Sequence, residues 1–163
     1  MVKIVIFLCF GVWSFRVISI PDNELILSAV FEGDYYEVQR LIKEGANVNG
    51  YDDWGRTPLS IACSEGLDCL VKYLLEHGAN ANTWDAMGYT PLHWAASEGC
   101  YEIAKMLLEK GACPNARNKN KATPLDCAVA CGAWAIVELL KQYNQSLIIQ
   151  RKKLSRLVNT TLP

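Results

Sequence analysis

The chain has 163 residues, enough for one well-cored domain and too few for two. Its 16 Lys and Arg nearly balance 17 Asp and Glu, for a net charge of −1. That balance excludes a polybasic nucleic-acid binder at whole-chain level, and a hydrophobic content of 51% excludes a disordered chain. The residues are unevenly spread. Fifteen of the first 20 are apolar. All 17 acids but only 10 bases lie in residues 21–143, which makes that stretch −7. Residues 144–163 hold Arg151, Lys152, Lys153 and Arg156 and no acid, a tail of +4. The order is an apolar leader, an acidic body and a short basic tail.

In the leader, Lys3 precedes 12 uncharged residues, Ile4 to Phe15, and Arg16 and Pro21 follow. One base ahead of a short apolar run fits a secretory signal cut after Ser19. It equally fits an anchor, an apolar extension packed on the body, or a misassigned start. A full span needs about 20 apolar residues, and the uncharged run is shorter.

The body, residues 21–143, is a repeat of period 33. Thr57-Pro58-Leu59, Thr90-Pro91-Leu92 and Thr123-Pro124-Leu125 keep that spacing. Ala62, Ala95 and Ala128 keep it, as do Gly66, Gly99 and Gly132. Ala29 and Gly33 extend the register backwards, giving units at about 22–51, 52–84, 85–117 and 118–143. Each Thr predicts a helix cap, and each following Pro suits a first helical position that needs no N–H. The glycine ends that helix. A second helix carries Leu70, Val71, Leu74 and Leu75, then Ile103, Ala104, Leu107 and Leu108, an apolar stripe. Gly78-Ala79 and Gly111-Ala112 end it, and Asn82 and Asn115 fall in the turns that follow.

This pattern resembles the ankyrin repeat. The family signature is intact at Thr90-Pro91-Leu92-His93-Trp94-Ala95. Ser60 and Asp126 replace its His in the flanking units. The Asp-x-x-Gly-x-Thr lead-in matches at Asp52–Thr57 and Asp85–Thr90, while the fourth unit has Asn118 and Lys121 in place of its Asp and Gly. The first unit keeps only its second half, as terminal caps do. The resemblance implies an all-α solenoid, a stack of helix-turn-helix units with β-hairpin fingers, and a protein-binding surface.

Ser60, His93 and Asp126 have the residue types of a catalytic triad. They share one repeat position, however, and stacked helices lie about 8–10 Å apart. A triad needs contacts of about 2.6–3.2 Å, so no enzyme is expected. The seven cysteines contain no Cys-x-x-Cys pair. Cys127 and Cys131 make at most half a zinc site, and no second pair supplies the other two ligands, so no metal is expected. No Gly-rich phosphate loop is present, and no cofactor is expected. Unpaired thiols point to a reduced, cytoplasmic setting. The sequons at Asn144 and Asn159 matter only if the body is secreted or membrane-tethered through residues 1–20.

The function expected is that of a non-catalytic, monomeric scaffold or adaptor for another protein, with no nucleic acid bound. By family register the partner would meet the finger tips and the exposed side of each first helix. The residues are Tyr51, Asp53, Trp54 and Arg56, then Trp84, Met87 and Tyr89, then Glu98, Arg117 and Lys119. Trp54, Trp84, Met87 and Tyr89 are the expected anchors, because exposed aromatics are enriched in binding hot spots. Trp94 is expected to be buried, and Trp134 to pack on the tail. The tail carries Leu147, Ile148, Ile149, Leu154, Leu157 and Val158 around its bases. It is expected to be an amphipathic helix covering the open end of the stack, with an anionic lipid surface as the alternative.

Overall fold

The computed structural model describes residues 22–160, and the leader lies outside them. Eight helices form four pairs: α1 (Asp22–Phe31) with α2 (Tyr35–Lys43), α3 (Pro58–Ser64) with α4 (Asp68–Glu76), α5 (Pro91–Ser97) with α6 (Tyr101–Glu109), and α7 (Pro124–Ala130) with α8 (Trp134–Thr160). The short first helices pack in a row, α1 on α3, α3 on α5 and α5 on α7. Behind them α4, α6 and α8 form a second row.

The first helices α3, α5 and α7 start in the way their Thr-Pro steps dictate. Thr57 accepts the Ser60 N–H at 3.3 Å, and the Ser60 hydroxyl oxygen accepts the Thr57 N–H at 2.9 Å. Thr123 and Asp126 repeat this reciprocal cap, at 3.3 and 2.8 Å. The alanine one turn on lets neighbouring first helices approach closely. Ala62, Ala95 and Ala128 are wholly enclosed, with Leu59 and Leu92 beside them. Leu70, Val71 and Leu74 of α4, Ile103, Ala104 and Leu107 of α6, and Ile136 and Leu140 of α8 complete one continuous core.

A second tie crosses every unit boundary. The Asn49 amide N–H donates to the Gly78 carbonyl at 3.1 Å, and its oxygen accepts the Asn80 N–H at 2.8 Å. Asn82 does the same for the Gly111 carbonyl and the Cys113 N–H, at 3.0 and 2.8 Å. These asparagines stand at one repeat position, and each occupies a helix-end carbonyl of the next unit. In the last unit Asn144 stands where the others have glycine, and Asn115 meets its side chain at 3.0 Å.

That substitution decides the tail. Glycine ends the second helix elsewhere, with φ of +87° at Gly78 and +83° at Gly111. Asn144 stays helical, so α8 runs 27 residues against nine in α4 and α6. The expected cap over the open end is therefore corrected: residues 144–160 continue α8. Ile148 and Ile149 stay exposed, and so does Val129 of α7. Trp134 does not pack on the tail either. It sits at the start of α8, 68% exposed, and the tail begins ten residues along the same rod, about 15 Å away. Among the described residues no helix is long and apolar enough to cross a membrane.

The fourth finger departs locally from the others. Gly55 and Gly88 hold φ of +73° and +78°, and Lys121 is forced to +63° at the equivalent place. A left-handed non-glycine residue costs about 1–2 kcal/mol. Lys121→Gly is therefore expected to raise unfolding stability by about 1 kcal/mol in urea titration, after glycine's entropic cost. A Cβ on Gly88 would stand 3.0 Å from the Lys119 amide nitrogen and 3.1 Å from the Asn118 Cα. Backbone cannot yield there as a side chain would, so Gly88→Ala is expected to cost about 2 kcal/mol.

Candidate partner-binding surface

Each finger is built around one carboxylate or amide. In the second unit Asp52 Oδ1 accepts the N–H groups of Trp54 and Arg56, at 3.0 and 2.8 Å. Asp85 Oδ1 accepts those of Met87 and Tyr89, at 2.8 and 2.9 Å. Asn118 Oδ1 accepts those of Asn120 and Ala122, at 2.9 and 3.0 Å. Two main-chain bonds close each loop: the Asp52 N–H donates to the Arg56 carbonyl at 3.1 Å and the Gly55 N–H to the Asp52 carbonyl at 2.9 Å, and Asp85 with Tyr89 and Gly88 repeats them at 3.0 and 2.9 Å. The side chain takes the return bond that a hairpin ladder would make, so no strand forms among the described residues. Adjacent fingers are joined directly. The Ala86 N–H donates to the Trp54 carbonyl at 2.7 Å, and the Lys119 N–H to the Met87 carbonyl at 3.1 Å. In Asn118 the Nδ2 is buried with no hydrogen-bond partner, the local cost of an amide where the others have a carboxylate.

The fingers carry most of the expected residues on the outside. Trp54 is 63% exposed and Trp84 70%. Tyr51, Met87, Asp53, Arg117 and Lys119 are exposed as well. Neither Trp lies buried against its neighbour. Arg56 is less free: its Nε donates to Asp52 Oδ2 at 2.8 Å, and its guanidinium carbon lies 5.0 Å from the Trp54 ring centroid. That contact holds the indole from beneath. Glu98 is exposed at the end of α5 and level by register with Glu65, away from the finger tips.

Tyr89 needs correction as an exposed anchor. It turns inward, half-buried, with its ring 4.9 Å from Trp94 and 5.4 Å from His93. Trp94 in turn is only half-buried, because its Nε1–H reaches out to Asp85 Oδ2 at 3.1 Å. The two rings brace the third finger rather than present it. Phe31 and Tyr36 are exposed apolar residues that the sequence reading missed. Phe31 stands one period before Ser64, so the register alone would have found it.

Ser60, His93 and Asp126 make no hydrogen bond to one another. The Ser60 hydroxyl donates to the Thr57 carbonyl at 2.9 Å. Asp126 Oδ2 accepts from the Thr123 N–H and hydroxyl, at 2.8 and 2.7 Å. His93 is fully enclosed: its Nδ1 accepts the Thr90 N–H at 3.1 Å, and its Nε2 faces the Ala122 carbonyl at 3.1 Å. This bonding assigns a neutral imidazole protonated on Nε2, tying the third unit to the fourth. Cys127 is buried and Cys131 exposed, and among the described residues no cluster of three or more potential ligands could hold a metal. Burial pushes the Cys63, Cys100 and Cys127 thiols up, away from the thiolate form that a nucleophile needs.

Burial also pulls the His93 imidazole below its ordinary value of 6.5, with the Ala122 carbonyl partly opposing. The unfolded chain therefore gains a proton near pH 6.5 that the folded chain refuses. Stability is full above that pH and is lost as pH falls toward the lower folded value. The Asp126 carboxyl is held below 3.8 by the Thr123 N–H and hydroxyl, so its own loss comes only in stronger acid. Urea unfolding at about pH 7.5 and about pH 5 is expected to show a loss in the wild type and a smaller loss in His93→Ser. Equal slopes would contradict the assignment.

A family model described as ankyrin repeats (3 copies) matches residues 25–118. No curated protein matches the chain. The helix pairs, the capped Thr-Pro steps and the linked fingers agree with that match, and the chain belongs to the ankyrin-repeat family.

Proposed function

We propose that this protein is a non-catalytic scaffold or adaptor, acting in the cytoplasm as a monomer, whose partner docks on the fingers of the second and third units. Ankyrin repeats are in general protein–protein interaction modules, and the finer reading rests on one observation. Trp54, Trp84, Tyr51 and Met87 stay exposed on two adjacent, mutually bonded fingers. Large apolar side chains are costly to leave in water, and a rigid group of them marks an interaction site. Glu98, at the end of α5 and away from the finger tips, extends the surface along the outward side of the first helices. Six free cysteines among the described residues, with the thiols of Cys63, Cys100 and Cys127 raised by burial, support a reduced compartment.

The test is affinity capture from cells with the wild type and two surface variants. Trp54→Ala with Trp84→Ala is expected to weaken capture by at least ~2 kcal/mol, roughly thirtyfold, without lowering the melting temperature. Lys72→Ala with Lys105→Ala, exposed on the second-helix row, is expected to leave capture unchanged. The opposite ranking would move the docking surface to the second helices.

A further inference from the structure

The three linked fingers place unlike residues at equivalent positions. By register Tyr51, Trp84 and Arg117 correspond, as do Asp53, Ala86 and Lys119, and Trp54, Met87 and Asn120. All nine are exposed. The other finger charges are spent within the fold. Asp52 and Asp85 hold their own loops, and Arg56 is paired with Asp52 and stacked on Trp54. What remains along the row is a negative second finger, an apolar third finger and a positive fourth, where Lys121 is exposed as well.

We infer that the partner segment lies along the finger row as an extended chain of fixed polarity. It places a cationic residue over Asp53, apolar side chains over Trp54, Trp84 and Met87, and carboxylates over Arg117 and Lys119. This inference rests on the finger-docking reading and specifies the chemistry of its ligand. Three units stacked at about 10 Å span about 20 Å, which roughly six extended residues cover. The reverse orientation would set like charges together at both ends, so charge fixes direction while the aromatic centre supplies contact area. The exposed charges act through water, so the preference weakens at high salt.

The experiment is a selection of displayed random heptapeptides on the full chain, followed by anisotropy with labelled synthetic copies. Recovered peptides are expected to hold an apolar centre, a Lys or Arg at one end, and Asp or Glu at the other. A copy with both ends charge-reversed is expected to bind about tenfold more weakly at low salt, and D53K combined with R117E and K119E to restore it. Apolar peptides without charge preference, or a selection unchanged by R117E with K119E, would overturn the polarity and leave finger docking standing. Peptides that bind Trp54→Ala with Trp84→Ala as well as they bind the wild type would overturn finger docking itself. No enrichment on the wild type would overturn both.

Discussion

Ala62, Ala95 and Ala128 have no exposed surface because each first helix lies flat against the next. The rest of the structure depends on that contact. A single unit has an apolar face on both sides and cannot bury either alone. Stacking brings Leu59, Leu92 and the second-helix stripes into one core, and it sets the spacing at which everything else repeats. The asparagines at the unit boundaries and the enclosed His93 work within that spacing. Asn49 and Asn82 join one unit to the next through a helix-end carbonyl, and His93 through the Ala122 carbonyl, which also accepts the Asn118 N–H.

The fingers inherit their rigidity from the same stack. Each loop is closed on an internal acceptor, Asp52, Asp85 or Asn118, before it touches its neighbour. The bonds from Ala86 to Trp54 and from Lys119 to Met87 then make three loops into one surface. A partner that meets this surface need not order it first, and that lowers the entropic cost of binding. The reactive-looking side chains of the chain are consumed in holding this frame. Ser60 and Asp126 cap helices, His93 bridges two units, and the buried thiols stay protonated.

The repeat was legible in the sequence because period 33 recurs in residues whose backbone roles are narrow: Thr before Pro, Ala at close helix contacts, Gly at helix ends. Trp54 and Trp84 were legible as exposed because their register places them on finger tips. Tyr89 was not. Its inward turn depends on Trp94 replacing a smaller residue next to it, a contact between side chains that no spacing encodes. Nor was the course of the tail plain. Asn144 stands at the position where glycine ends the other second helices, yet it bonds Asn115 and leaves the helix unbroken. The asparagine ties were half visible, since the spacing marks Asn82 and Asn115 but not the carbonyls they reach.

Bonded to one another, the fingers form one rigid surface rather than three independent loops. Native-state hydrogen exchange of the Ala86 and Lys119 amides tests it most directly, since these two donors carry the finger-to-finger bonds. If the surface is rigid, both exchange far more slowly than exposed loop amides, with protection that falls in parallel with global stability as urea is added. Exchange at the rate of free loops would mean that the fingers move separately and that their aromatic residues present no fixed surface.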